Sequence, residues 1–127
     1  MSGSFQEIFG RDDQDESSYR AWRTCQQGST LYLKLVPTKG SGEPTFFVPY
    51  LQPISIELDQ DGGTLCLLCH SSAMTIFIEG TELADLATQI SEKRAKSVHV
   101  FSSSEHTRTE DQTATITKIT VEKPPKL

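Results

Sequence analysis

The chain contains no asparagine, and therefore no N-glycosylation sequon. No apolar run approaches the ~20 residues that a membrane-spanning helix needs. The opening stretch, Met1 to Gly10, carries neither the basic nor the apolar segment of a secretory signal. Cysteine is sparse and odd in number, at three, and Cys66 and Cys69 stand close together inside an apolar stretch. That is poor material for a disulfide framework. These absences together predict a reducing, cytoplasmic setting and no membrane association.

Positive charge is also short. Twelve Lys and Arg face seventeen Asp and Glu, for a net charge of −5. A phosphate-binding surface needs clustered cations, so nucleic acid is disfavoured as a partner. The one basic cluster, Lys93-Arg94-Ala95-Lys96, falls where a helix C-terminus is expected, and cations there meet free carbonyls. No G-x-S-x-G, Gly-rich phosphate loop or H-E-x-x-H is found.

What is present fits one domain of 127 residues with room for one real core. Hydrophobic residues make up only 35%, because polar residues gather in loops and at both ends. Residues 1–18, with Asp12, Asp13, Asp15 and Glu16, and residues 122–127, with Pro124-Pro125, bury too little surface to offset ordering entropy. Both are expected to be frayed or disordered, leaving residues 19–121 as a single α+β domain.

Tyr19, Trp22 and Cys25 recur at three-residue spacing, which predicts a short amphipathic helix over 18–26. Leu31, Leu33 and Leu35 alternate with polar residues as on a strand that Pro37 stops. Phe46 to Leu51 is β-prone but contains Pro49, which makes it an edge strand or a bent one. Residues 54–58, 64–70 and 74–79 read as an antiparallel meander. Its first turn is Gln60-Asp61-Gly62-Gly63.

Leu83, Leu86, Ala87 and Ile90 then recur at helical spacing, predicting a main helix over about 81–95 with Thr81 as N-cap. Residues 97–101 return to strand, 102–112 form a polar loop, and 114–121 close the domain. The apolar phase shifts between Ile116 and Ile119, which predicts a β-bulge near Thr117-Lys118. The predicted fold is α+β: a mostly antiparallel five- or six-stranded sheet packed against the main helix, plus the short N-terminal helix. A right-handed crossover from 74–79 through the helix to 97–101 would make the sheet mixed. A bent sheet wrapped around the helix is the competing arrangement.

Several strings resemble chemistry. Cys66-Leu67-Leu68-Cys69-His70 has the haem-attachment pattern, but it lies within a strand, where residues three apart point to opposite faces. Zinc would need further ligands from Cys25, His99 or His106, and no second pair has zinc spacing. Asp59-Gln60-Asp61-Gly62-Gly63 starts like a calcium loop but lacks its third acidic ligand, the glycine at the sixth position and the closing Glu, and turn chemistry accounts for it. His99 reads as a half-exposed sheet residue, and Tyr19 and Trp22 as a helix's core face. No catalytic, cofactor or metal residue is assigned.

The functional expectation is a non-enzymatic protein-interaction or adaptor module, possibly self-associating through a sheet edge, with a protein or a second copy as partner. Its candidate contact residues are Phe46, Phe47, Tyr50, Ile119 and Val121, on the two stretches that read as strand edges. A small-ligand sensor with a pocket between helix and sheet, and a small enzyme using a Cys/His pair, are the alternatives. The helix period makes the first test. Leu86→Ala should cost about 2–5 kcal/mol in urea unfolding through lost burial and a cavity.

Overall fold

The computed structural model describes residues 19–103 and 114–123. Within them the order is β1 (Trp22–Thr24), β2 (Tyr32–Val36), a 3-10 turn (Lys39–Ser41), β3 (Phe46–Pro49), β4 (Ile54–Leu58), β5 (Thr64–Cys69), β6 (Met74–Thr81), α1 (Ala84–Ser91), β7 (Ala95–His99) and β8 (Thr115–Glu122). The strands form two four-stranded sheets, ordered β1-β7-β2-β3 and β4-β5-β6-β8. This corrects the expected single five- or six-stranded sheet on a main helix. The protein is mostly β, with one eight-residue helix among the described residues.

The reason lies in how the strands bury their faces. Leu33, Leu35, Val48 and Val98 of the first sheet share one core with Leu65, Leu67, Ile76, Ile78 and Ile116 of the second. Each sheet offers one apolar face at the period-2 spacing of strands, and each uses the other to cover it. The helix adds Leu83, Leu86 and Ile90 to the same core and packs against β4 of one sheet and β7 of the other. The expected crossover therefore joins different sheets. The first sheet is mixed all the same, because β2 and β7 pair in parallel.

The expected N-terminal helix is instead β1. Tyr19 and Ala21 are buried while Arg20 between them is exposed, a period of two. Trp22, Arg23 and Thr24 pair with Val98, Ser97 and Ala95. The three-residue spacing of Tyr19, Trp22 and Cys25 had no helix behind it.

The main helix is shorter than 81–95. Thr81, expected as its N-cap, is the last residue of β6 and pairs with Thr115. Glu82 turns through a positive φ of 55°, and α1 starts after Leu83 without a side-chain cap. Its end is fixed by backbone. The Lys93 N–H donates to the Ile90 carbonyl and the Arg94 N–H to the Gln89 carbonyl, with Lys93 at a φ of 60°. This is the Schellman arrangement, with lysine in the left-handed position that glycine usually takes. Ala95 then starts β7, so the basic cluster straddles the helix stop and the next strand, which spans 95–99 and not 97–101.

The meander appears as expected: β4 pairs antiparallel with β5, and β5 with β6. So does the bulge, since Glu79 faces Lys118 while Gly80 faces Ile116, leaving Thr117 as the extra residue. Gly80 is what permits it. A Cβ at that position would fall on the Thr115 carbonyl, far inside van der Waals contact. The expected frayed N-terminus at 1–18, most of the 102–112 loop and residues 124–127 of the tail expected at 122–127 lie outside the described residues; Glu122, placed in that tail, is instead the last residue of β8.

Gly80→Ala should lower stability by about 1–3 kcal/mol or more, because strand backbone must move to admit one methyl group. Gly40→Ala, where a Cβ meets nothing within 4 Å, should stay within about 0.5 kcal/mol of the parent. Urea unfolding of the two variants checks the contrast.

Candidate interaction surface

The five residues singled out from the sequence separate into three places. Tyr50 is 3% exposed and belongs to the core. Its hydroxyl donates to the Ala95 carbonyl at 2.6 Å, tying the end of the β2–β3 hairpin to the start of β7. Phe47 lies on the outer face of the first sheet. Phe46, Ile119 and Val121 meet in one groove.

The groove opens where β3, an edge of the first sheet, runs near β8, an edge of the second. Its volume is about 240 Å³, and Leu35, Pro37 and Pro44 complete its apolar lining. Glu43 and Lys123 supply one charge of each sign. The Lys123 ammonium sits 5.5 Å from the centre of the Phe46 ring and so reaches from one sheet edge to the other. A cation over an aromatic face is worth about 0.5–1 kcal/mol at an exposed site.

Phe47 belongs to a second cluster. The exposed large hydrophobic residues among those described are Leu31, Tyr32, Phe47 and Leu51, and all four lie on the β2–β3 hairpin or its flanks. Tyr32 stands opposite Pro49 and Lys34 opposite Phe47, so these side chains share the outer face. The Lys34 ammonium lies 5.9 Å from the Phe47 ring centre. The Tyr50 N–H donates to the Leu31 carbonyl, which fixes the alternation of bonded pairs and leaves the Phe47 N–H and carbonyl pointing to the open edge. Pro49, two residues on, brings no N–H to that edge, and the Gln52 amide donates to its carbonyl at 2.9 Å.

Sequence reasoning placed Leu31 inward with Leu33 and Leu35, yet it is 75% exposed. It precedes the first residue of β2, where strand alternation does not yet govern it. Leu51, at 92% exposed, was legible only as the end of an apolar run.

The chemistry-like strings take the following places in the fold. Cys69 is buried on the inner face of β5, Cys66 lies on the outer face, and His70 follows the strand. Burial pushes both thiols above their ordinary range, with Glu57 and Glu122 adding to the effect on Cys66. The Cys25 thiol donates to the Gly28 and Arg94 carbonyls, both at 3.3 Å. His70 lies 2.7 Å from the Ser55 hydroxyl, and His99 lies 2.8 Å from that of Ser97. A Ser–His contact is half of an activated nucleophile, which also needs a third group to orient the base. The other described hydrogen bond of His70 runs from its backbone N–H to the Pro53 carbonyl.

In the Asp59 turn, the Gly62 N–H donates to the Asp59 carbonyl and the Gly63 N–H to the Asp61 carboxylate. Asp59 and Asp61, with Glu82, Asp85 and Trp22, line an open acidic hollow beside the helix start. Among the described residues no group of three or more His, Cys, Asp or Glu is placed to hold a metal ion, and no helix is long and apolar enough to cross a membrane.

Tyr50 gives this region a pH signature. Burial pushes its phenol well above the ordinary value of about 10, and the nearby Cys25 adds to the rise. Above pH ~10 the unfolded chain releases this proton while the folded chain keeps it, so stability falls by up to ~1.4 kcal/mol per pH unit. Below pH ~10 the contribution is fully present. Tyr50→Phe should flatten the decline above pH ~10, while costing about 1 kcal/mol at neutral pH through the lost hydrogen bond. Urea unfolding between pH 7 and 11 reads both effects.

No protein-family model, curated protein or solved structure matches this chain, so the reading of its surface rests on its own geometry and chemistry.

Proposed function

We propose that this chain is a non-enzymatic protein-interaction module of the reducing cytoplasm, with the β2–β3 hairpin as its contact surface. The observation that carries the proposal is the gathering of Leu31, Tyr32, Phe47 and Leu51 in one place beside an open strand edge. Scattered apolar residues on a surface need no explanation, whereas a contiguous cluster beside a sheet edge is the form of a docking site. Aromatic anchors such as Tyr32 and Phe47 supply large contact area at low entropic cost. Lys34, between them on the same face, suits a partner with an acidic residue next to its apolar ones.

Pro49 limits how far an incoming strand can pair, so side-chain contacts carry more of the affinity than added backbone bonds. The three free cysteines, two of them with thiols raised by burial, suit a reducing compartment. The groove beside β8, at about 240 Å³, falls below the ~300–1,000 Å³ of usual small-molecule clefts. That favours an inserted side chain over a soluble ligand.

The test is selection of a random peptide display library on the folded protein. Enriched peptides should combine apolar residues with an acidic one. The double variant Phe47→Ser/Leu51→Ser, folded by circular dichroism, should bind them at least about tenfold more weakly, or ~1.4 kcal/mol. Peptides that bind parent and variant alike, or no enrichment at all, would overturn the assignment.

A further inference from the structure

We infer that the free edge of β8 is a homodimer surface, on which a second copy pairs its own β8 antiparallel about a two-fold axis at Thr120. The inference extends the interaction reading to a different surface and stands or falls separately from the hairpin.

The first observation is that the edge is open only in part. At its start the outer side of β8 is occupied: the Ile116 carbonyl accepts the Phe101 N–H at 2.8 Å, and the Ile116 N–H donates to the Tyr19 hydroxyl, also at 2.8 Å. From Lys118 to Glu122 the strand pairs with β6 on one side, and no described strand lies on the other. An unpaired edge of this kind is a template for another chain.

The second observation is the sequence of that open segment, Lys118-Ile119-Thr120-Val121-Glu122. Read antiparallel against itself about Thr120, it sets Lys118 opposite the partner's Glu122 and Ile119 opposite the partner's Val121. Thr120 meets its own copy. Opposite charges and β-branched pairs facing each other directly are the favourable cross-strand combinations. Moving the axis by one residue in either direction breaks both charge pairs, so the composition selects one register.

The third observation is which face each residue takes. Ile119 and Val121 are partnered within the sheet by the buried Ile78 and Ile76, so they point inward, while Lys118, Thr120 and Glu122 lie on the outer face. In the dimer the two charge pairs therefore form at the solvent face. The apolar pair forms at the mouth of the groove that Phe46 and Leu35 line. The second sheets of the two copies, four strands each, would join as one continuous eight-stranded sheet, closed by symmetry with no growing end at β8.

Five paired residues make a small interface, so the dimer should be a reversible one, populated over about 1–200 µM. The experiment is sedimentation velocity on the full chain across that range, with charge variants that also report on register. Lys118→Glu places like charges opposite each other in both pairs, and Glu122→Lys does the same with the opposite sign. Each variant alone should be monomeric where the parent dimerises. Their equimolar mixture should recover the dimer as a heterodimer, because each repelling pair becomes attractive. This recovery also excludes misfolding as the cause of the single losses. Phe47→Ser/Leu51→Ser should dimerise as the parent does, which separates this inference from the hairpin assignment.

A parent that stays monomeric at 200 µM, single variants that dimerise as well as the parent, or a mixture that stays monomeric would each overturn the inference.

Discussion

The Tyr19 hydroxyl links the two sheets at one corner of the shared core. Tyr19 is fully buried, and its oxygen donates to the His99 carbonyl at 2.6 Å while accepting the Ile116 N–H at 2.8 Å. His99 ends β7 in one sheet, and Ile116 lies in β8 of the other. The phenol therefore joins the two sheets, and it satisfies two backbone groups that would be costly to bury unpaired. The Tyr19 ring meets Phe101 edge-on at 5.0 Å, which fixes its position at the junction. Phe101 in turn donates its N–H to Ile116, so ring contact and backbone bond hold the same corner.

Once that corner is closed, the remaining openings follow. The helix lies against β4 and β7 and so spans both sheets. The bulge at Thr117, made possible by the missing side chain of Gly80, bends β8 just beyond the junction. Past the bulge, β8 and β3 have no covering element among the described residues, and the groove lies between them. It is thus a product of the closure: two four-stranded sheets pinned at one corner remain parted at their other edges.

The polar groups that resembled chemistry in the sequence are distributed around this frame. The serine–histidine contacts sit on outer sheet faces, the cysteines of β5 point to opposite sides, and Asp61 caps its own turn. The apolar hairpin face and the segment of β8 past the bulge lie on different sheets, and neither has a covering element among the described residues.

The sequence by itself determined what depends on neighbours along the chain. The meander over 54–79 was legible because each strand alternates and each turn carries its own glycine or serine chemistry. The bulge was legible from the slip in phase between Ile116 and Ile119, and the edge position of β3 from Pro49. The order of residues 118–122 is self-complementary about Thr120, although only the sheet order shows which side of β8 has no described strand beside it. Tertiary structure decided the rest, because those choices turn on contacts distant in sequence. Whether Tyr19 heads a helix or a strand depends on Ile116 and His99, and local spacing favoured the wrong one. Tyr50 reads as a surface aromatic until Ala95 supplies an acceptor in the core. The division into two sheets reflects the same limit: alternation says that a strand has an apolar face, and only the assembled chain says which face covers it.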